Sequence, residues 1–278
     1  MAAADAPAVR LDDRSRIVSI GGDVTEILYA LGVSRHVVAV DSTSLYPAQA
    51  LKEKMNVGYM RALSTEGVLS TNPTLLLVSE RAGPAEVVKT LKSSSVPYVE
   101  VPEVHSADGI TAKIRFIARL LGVAERGEQI AGNVEAEFRT LTEEIARIRR
   151  PVRALFVLSV QNGRVLVGGR GTSADAILGL AGAENVADEV TGFRPLSDEA
   201  ILGLAPQVIV GIRGTSAGGH DLSQVFSLKG VGATPAGKAR RLVTMDGLYL
   251  LGFGPRTPAA ARELMRALNP ELASDAPQ

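Results

Sequence analysis

Three observations predict an α/β protein of two lobes, each a mostly parallel central sheet flanked by helices, joined by one long helix, with a ligand cleft between the lobes. Short apolar runs alternate with amphipathic segments along the chain. Residues 63–80 repeat as 196–213 without a gap, and one helical stripe separates the two halves. The boundaries expected from this are 14–122 for the N-terminal lobe, 123–150 for the linking helix and 151–272 for the C-terminal lobe.

The elements follow in order. "RIVSIG", residues 16–21, reads as a buried strand. "DVTEILYALG" follows as a helix that Asp23 or Thr25 can cap and Gly32 can end. "VVAVD" is a second strand. "STEGVLSTNPTLLLVSE" is a short helix, a proline turn and a third strand at 75–79. "GPAEVVKTLKSSSVPYVEVP" adds a helix and a fourth strand. In the second half, "RALFVLS" and "RVLVGG" are strands, and "TSADAILGLAG" is a helix ending at Gly182.

The internal echo is specific. Leu63, Ser64, Glu66, Leu69 and Pro73 fall on Leu196, Ser197, Glu199, Leu202 and Pro206. In both copies a hydroxyl and then acids occupy a first helical turn, where a helix N-terminus favours them. Capping is the plain reading of those acids.

Between the halves, Ile130, Val134, Phe138, Leu141, Ile145 and Ile148 are spaced by threes and fours, one apolar stripe on a helix. The spacing predicts a helix running to Arg149–Arg150 and stopping before Pro151. At 1.5 Å per residue, about 25 residues span roughly 38 Å. One packed helix is a stiff link, so modest closure is expected rather than a wide hinge swing.

Composition removes several function classes. The chain has 278 residues, 30 basic and 30 acidic, so its formal net charge is zero and there is no bulk electrostatic case for nucleic acid. Aromatic residues are 4%, with no Trp, which is thin for stacking on bases. No long apolar run predicts membrane insertion. Cysteine is absent, which excludes disulfides, thiolate metal sites and cysteine catalysis in this chain. The start, "MAAADAPAV", has neither a basic nor an apolar signal region. It reads as the Ala-rich beginning of an exported, mature protein, and a periplasmic location and a monomer are expected.

A cleft between two α/β lobes would be lined by loops at strand carboxyl ends. Tyr59 and Arg61, in "NVGYMRALSTEG", precede the first copy of the repeat, and Arg61 falls on Arg194 of "TGFRPLS". Arg81 follows the strand at 75–79 and Arg213 the strand at 208–212. A phenol with several guanidinium groups suits a ligand with an apolar body and carboxylates. Residues two apart in extended chain point the same way, which would set Arg61 near the Tyr59 oxygen and favour its phenolate. A phenolate is a hard donor for ferric iron, and Tyr is a known axial ligand of haem iron. A half-buried loop tyrosine beside a solvated arginine fits the same spacing.

Over nearly its whole length the chain resembles the periplasmic haem-binding proteins of bacterial ATP-binding-cassette haem importers, in the helix-linked class that also carries ferric siderophores and cobalamin. The stretches that carry the resemblance are "RIVSIGGDVTEILYALG", "VVAVDSTSLYP", "NVGYMRALSTEGVLSTNPTLLLVSE", "VGGRGTSADAILGLAGAENV", "FRPLSDEAILGLAPQVIV" and "LYLLGFGPRTP". It implies haem as transported ligand, Tyr59 as iron ligand, Arg61 as support for its phenolate, and no enzymatic activity. It also implies an acidic residue on each lobe that meets the membrane permease, here Glu86 and Asp221. Some haem-branch members add a histidine near the start of the helix that is here "GTSADAIL"; this sequence has none there, so five-coordinate iron on Tyr59 alone is expected. Of the three histidines, His36 reads as a solvated strand start, His105 as a helix entry and His220 as an exposed loop residue.

Two other readings compete. A ferric siderophore or a corrinoid would fit the same class of protein. "GRGTSA", Gly169 to Ala174, matches a G-x-G-x-x-A dinucleotide fingerprint with Asp188 downstream, which would make the chain an NAD(P)-dependent oxidoreductase. The matching segment of the first half, "GGDVTEIL", has no such pattern, and no His or Tyr–Lys base follows.

Overall fold

A computed structural model describes residues 14–161, 164–213 and 222–271. The chain forms two compact units that meet at Glu135/Ala136.

In the first unit the strands are β1 (Ile17–Ile20), β2 (Val37–Val40), β3 (Met55–Asn56), β4 (Leu75–Ser79) and β5 (Tyr98–Val101). They form one sheet, ordered β3-β2-β1-β4-β5, in which every pairing is parallel. The helices are α1 (Gly22–Ala30), α2 (Gln49–Glu53), α3 (Thr65–Leu69), α4 (Ala85–Lys92) and α5 (Ala107–Leu120). β1 and β4 are buried at every residue, as continuous apolar runs in a sheet covered on both faces should be. Parallel pairing sends all the strand-to-helix loops to one edge, the carboxyl edge of the sheet.

α1 starts at Gly22 without a side-chain cap, contrary to the expectation for Asp23 or Thr25. Both side chains are engaged elsewhere: Thr25 Oγ1 lies 2.8 Å from Ser19 Oγ and 2.7 Å from Ser44 Oγ, and Asp23 is ion-paired to Lys113. The helix does end at Gly32, whose φ of 77° is costly for a residue with a Cβ.

Helix α6 (Ala124–Ile145) crosses the boundary between the units. It stops short of the expected Arg149–Arg150. The hydrogen bonds Arg147 N to Glu144 O and Ile148 N to Ile145 O, at 3.2 and 2.9 Å, tighten its end into i→i+3 turns. Pro151 then disfavours helical backbone at Arg150. Ile145 and Ile148 both approach Gly182: a Cβ there would lie 2.9 Å from one and 2.8 Å from the other.

The second unit contains strands β6 (Arg153–Gln161), β7 (Arg164–Gly168), β8 (Glu184–Asn185), β9 (Phe193–Leu196), β10 (Val208–Ile212) and β11 (Leu242–Met245). Its helices are α7 (Ser173–Leu180), α8 (Asp198–Leu204), α9 (Lys229–Ala233), α10 (Pro235–Lys238), α11 (Gly247–Leu251) and α12 (Thr257–Leu268). The sheet order is β11-β10-β6-β7-β9, with β8 beside the start of β6. It is mostly parallel, but β7 runs antiparallel to both neighbours. The second half is therefore not a plain copy of the first. β10 pairs with Ala154–Val157, and beyond Val157 strand β6 continues into a hairpin with β7 before α7 begins.

The 63–80 and 196–213 echo holds in three dimensions. α3 and α8 begin at equivalent residues, Thr65 and Asp198, and β4 and β10 span equivalent positions. Ser64 Oγ accepts from Gly67 N at 3.2 Å, and Ser197 Oγ accepts from Ala200 N at 3.3 Å. Asn72 and Ala205, each just before the shared proline, both have left-handed backbone, with φ of 48° and 46°. Among the described residues, no helix is long and apolar enough to cross a membrane.

Candidate functional site

The Tyr59 loop is anchored at both ends. Val57 and Leu63 are buried in the apolar cluster built on Val18, Ile20, Leu76 and Val78, and Met60 packs against it, so within 58–62 the chain exposes residues 58, 59, 61 and 62. On one side Gly58 O accepts from Ser42 N at 2.8 Å, just past β2. On the other, Met60 O accepts from Gly83 N at 2.9 Å and Leu63 N donates to Gly83 O at 3.0 Å, just past β4. Gly58 takes a φ of 95°, which glycine tolerates without strain. The loop is thus fixed at the carboxyl edge of the parallel sheet.

Within the loop, Ala62 N donates to Tyr59 O at 2.8 Å and closes a tight turn. Tyr59 and Arg61 therefore do not lie on extended chain, and the reasoning that placed both on one face for that cause does not hold. What the turn does is expose both. Tyr59 is 48% accessible, and neither side chain bonds to another described residue. Tyr98, in contrast, is a phenol pushed up to about 12 by burial and then by the nearby charge of Glu100, so it stays protonated.

Beneath the loop lies a buried polar network. Asp41, fully buried, accepts from Gly21 N at 2.8 Å, Thr43 N at 2.9 Å, Thr43 Oγ1 at 2.7 Å and Ser44 Oγ at 3.3 Å. Burial pushes its carboxyl up, and these donors pull it back only in part. Thr43 Oγ1 also lies 3.8 Å from Met60 Sδ, which links the network to the Tyr59 turn. Apolar side chains stand out along the same edge: Leu45 and Tyr46 follow β2 and Val104 follows β5, at 49%, 44% and 52% accessible.

The arginines divide. Arg81 is engaged by the chain itself, 2.6 Å from Glu103 Oε1, which His105 Nε2 also meets at 3.0 Å. Burial raises the Glu103 carboxyl, but the His105 hydrogen bond and the charges of Arg81 and Lys113 prevail and hold it below its usual range. Arg81 is thus a structural partner rather than a spare cation, while His105 occupies the helix entry expected of it, next to the Ser106 cap of α5. Arg213 is exposed, but its guanidinium donates to Thr244 O at 2.9 Å. Arg194 lies exposed in β9, with Nε 3.4 Å from Thr191 O. His36 ends a short 3₁₀ turn before β2 and touches Arg35. Glu86 is exposed in the first turn of α4. Asp221 and His220 lie outside the described residues.

The glycine-rich stretch serves the fold. A Cβ on Gly169 would meet Val190 O at 2.0 Å, so this glycine allows the chain to approach itself. The Asp175 carboxylate accepts from Gly171 N at 3.0 Å and from Asn185 Nδ2 at 2.9 Å, occupying donors that a pyrophosphate would need. Among the described residues, no cluster of three or more His, Asp or Glu could hold a bare metal ion.

A family model described as periplasmic binding protein matches residues 17–249. A periplasmic heme-binding protein, RhuT from Roseiflexus sp. RS-1 in apo form, is 39% identical, with a TM-score of 0.87 over 94% of this chain and 100% of that one. The periplasmic heme-binding protein BhuT, solved with two hemes, is 37% identical, with a TM-score of 0.85 over 92% and 98% of the two chains. A vitamin B12-binding protein of Pectobacterium atrosepticum is 26% identical over 198 residues, 70% of each chain.

Proposed function

This chain belongs to the periplasmic binding protein family, and we propose that within it the chain binds haem through Tyr59 in the periplasm and delivers it to an ATP-binding-cassette importer. The observation that carries the reading is the Tyr59 phenol: half exposed, free of protein partners among the described residues, and held on a turn pinned at both ends. A fixed, uncommitted hard oxygen donor is what an iron with an open axial position requires. A ferric siderophore brings a complete oxygen shell and needs cations around it rather than a donor. The exposed apolar side chains on the same edge, Leu45, Tyr46 and Val104, offer contact to a macrocycle.

Arg61 is an exposed cation on the same turn as the phenol. Arg194 and Arg213 are exposed cations suited to carboxylates, and Arg81 has part of its guanidinium charge met by Glu103. The start of the helix in "GTSADAIL" carries no histidine, so Tyr59 is the sole strong ligand of this reading and the ferric complex is high-spin. The likeness to vitamin B12-binding proteins keeps a corrinoid as the second reading. Titration of the apoprotein with haemin, with cobalamin as competitor, separates the two. Haem binding produces an intense Soret band that excess cobalamin leaves unchanged; displacement by cobalamin would favour the corrinoid.

A further inference from the structure

Tyr59 is aimed by its backbone alone, since its side chain bonds to no described residue. Whatever holds that backbone sets where the phenol oxygen lies. The neighbours of Tyr59 on both sides meet one short segment, the turn that follows β2. Ser42 N donates to Gly58 O at 2.8 Å, and Thr43 Oγ1 lies 3.8 Å from Met60 Sδ.

That turn is built around the Asp41 carboxylate. Asp41 is the first residue past β2 and has no accessible surface. It accepts from Thr43 N two residues on, the pattern of an Asx turn, and Ser44 N closes the same turn on Asp41 O at 3.0 Å. Thr43 has one hydroxyl hydrogen, which the carboxylate oxygen at 2.7 Å takes over the Met60 sulfur. The same hydroxyl accepts from Gly22 N at 3.0 Å, so Thr43 is fixed from two sides where it meets Met60. Ser44 Oγ donates to Asp41 Oδ1, which leaves Thr25 to donate to Ser44 and Ser19 to Thr25, at 2.7 and 2.8 Å, in a directed chain of buried hydroxyls. Gly21 N is the fourth donor to the carboxylate. Gly21 and Gly22 begin α1, which has no side-chain cap of its own, so Asp41 and Thr43 satisfy its first N–H groups from the end of the neighbouring strand.

We infer that Asp41 is the positioning residue of the iron ligand: through the Ser42–Thr43 turn it fixes the backbone on both flanks of Tyr59, and with it the place of the phenol oxygen. The inference rests on the haem reading above. Being fully buried, Asp41 touches no ligand itself. Every group in the network belongs to the first unit.

The test is a cycle of haemin affinities in wild type, Asp41→Asn, Tyr59→Phe and the double variant. Asparagine keeps the size of the side chain but turns an NH2 toward donors that need an acceptor. With Tyr59 present, Asp41→Asn should lose roughly tenfold in affinity, the size expected of coupling between linked groups, and should weaken the phenolate charge-transfer absorption. In the Tyr59→Phe background the same substitution should change affinity less than about twofold, because no oxygen is left to aim. Melting temperatures of the apo forms should fall equally in both backgrounds. Equal affinity losses in the two backgrounds would make Asp41 a purely structural residue and overturn the inference, as would no loss with Tyr59 present. Should Asp41→Asn fail to fold, Thr43→Val, which keeps the branched shape and removes the hydroxyl, carries the same cycle with a smaller loss and the same reading. Tyr59→Phe binding haemin as tightly as wild type would instead overturn the reading of Tyr59 as iron ligand, and this inference with it.

Discussion

Lys113→Met tests the buried charge pair that ties α5 to the start of α1. The Lys113 side chain is 1% accessible and that of its partner Asp23 11%. Methionine keeps most of the stem volume, so no large cavity opens, and the cost is that of a carboxylate left buried without its cation. Breaking a buried pair from one side costs about 3–5 kcal/mol. Asp23 retains two aids, some access to water and its place in the first turn of α1, which together are worth about 1 kcal/mol. The expected loss is therefore about 2–4 kcal/mol, read as a lower urea midpoint of the apoprotein at pH 7 with an unchanged slope. The double variant Asp23→Asn with Lys113→Met removes both charges and should recover at least half of that loss, because a neutral amide is far less costly to bury than a carboxylate. A single-variant loss under about 1 kcal/mol would show that the pair is solvated, and a double variant as unstable as the sum of both singles would refute the charge argument.

Two further predictions concern carboxylates. Glu103 has its carboxyl held below the usual value of 4.5, so its ionised form contributes stability above that pH, and the contribution is lost as pH falls through the lowered value. Glu103→Gln should be less stable than wild type at pH 7, by about 1–3 kcal/mol, with the gap closing below pH 4.5, followed by urea titration at several pH values; a gap that widens in acid would contradict this. Glu86 is exposed in α4, and Glu86→Lys with Asp221→Lys should leave haem affinity unchanged and stability within about 0.5 kcal/mol, yet abolish stimulation of the importer's ATP hydrolysis in liposomes, most strongly at low salt. Full stimulation by that variant would remove these two residues from the docking surface.

The parts legible in the sequence were those fixed by local pattern. β1 and β4 announce themselves as short apolar runs, and the caps at Ser64 and Ser197 as a hydroxyl ahead of acids. The matched left-handed residues at Asn72 and Ala205 lie within an alignable repeat; asparagine is a residue type that tolerates this backbone, whereas nothing in alanine marks position 205. What escaped was set by contacts distant in sequence. Asp23 reads as a helix cap until Lys113, 90 residues on, is seen against it. Arg81 reads as a spare cation until Glu103 is placed 2.6 Å away. The two runs of the β6–β7 hairpin are legible as strands, but their antiparallel pairing is not, because strand direction depends on the turn between them and not on either run. For the site, the Tyr59 and Arg61 pair was legible as a motif, but its geometry was not: the turn closed by Ala62 replaced the extended chain that the spacing suggested. The glycine-rich run read as a dinucleotide fingerprint because the close approach of Gly169 to Val190 O is set by residues distant in sequence.

The central claim is that Tyr59 ligates haem iron, and the haemin titration of Tyr59→Phe beside wild type tests it most directly. Phenylalanine keeps the ring and removes only the oxygen donor, and since the Tyr59 hydroxyl bonds to no described residue the apoprotein should melt as wild type does. Wild type should give a high-spin ferric spectrum with the charge-transfer absorption of a phenolate ligand. The variant should lose that absorption and most of its affinity. Wild-type affinity with the phenolate signature intact in Tyr59→Phe would contradict the account and place the iron ligand elsewhere in the chain.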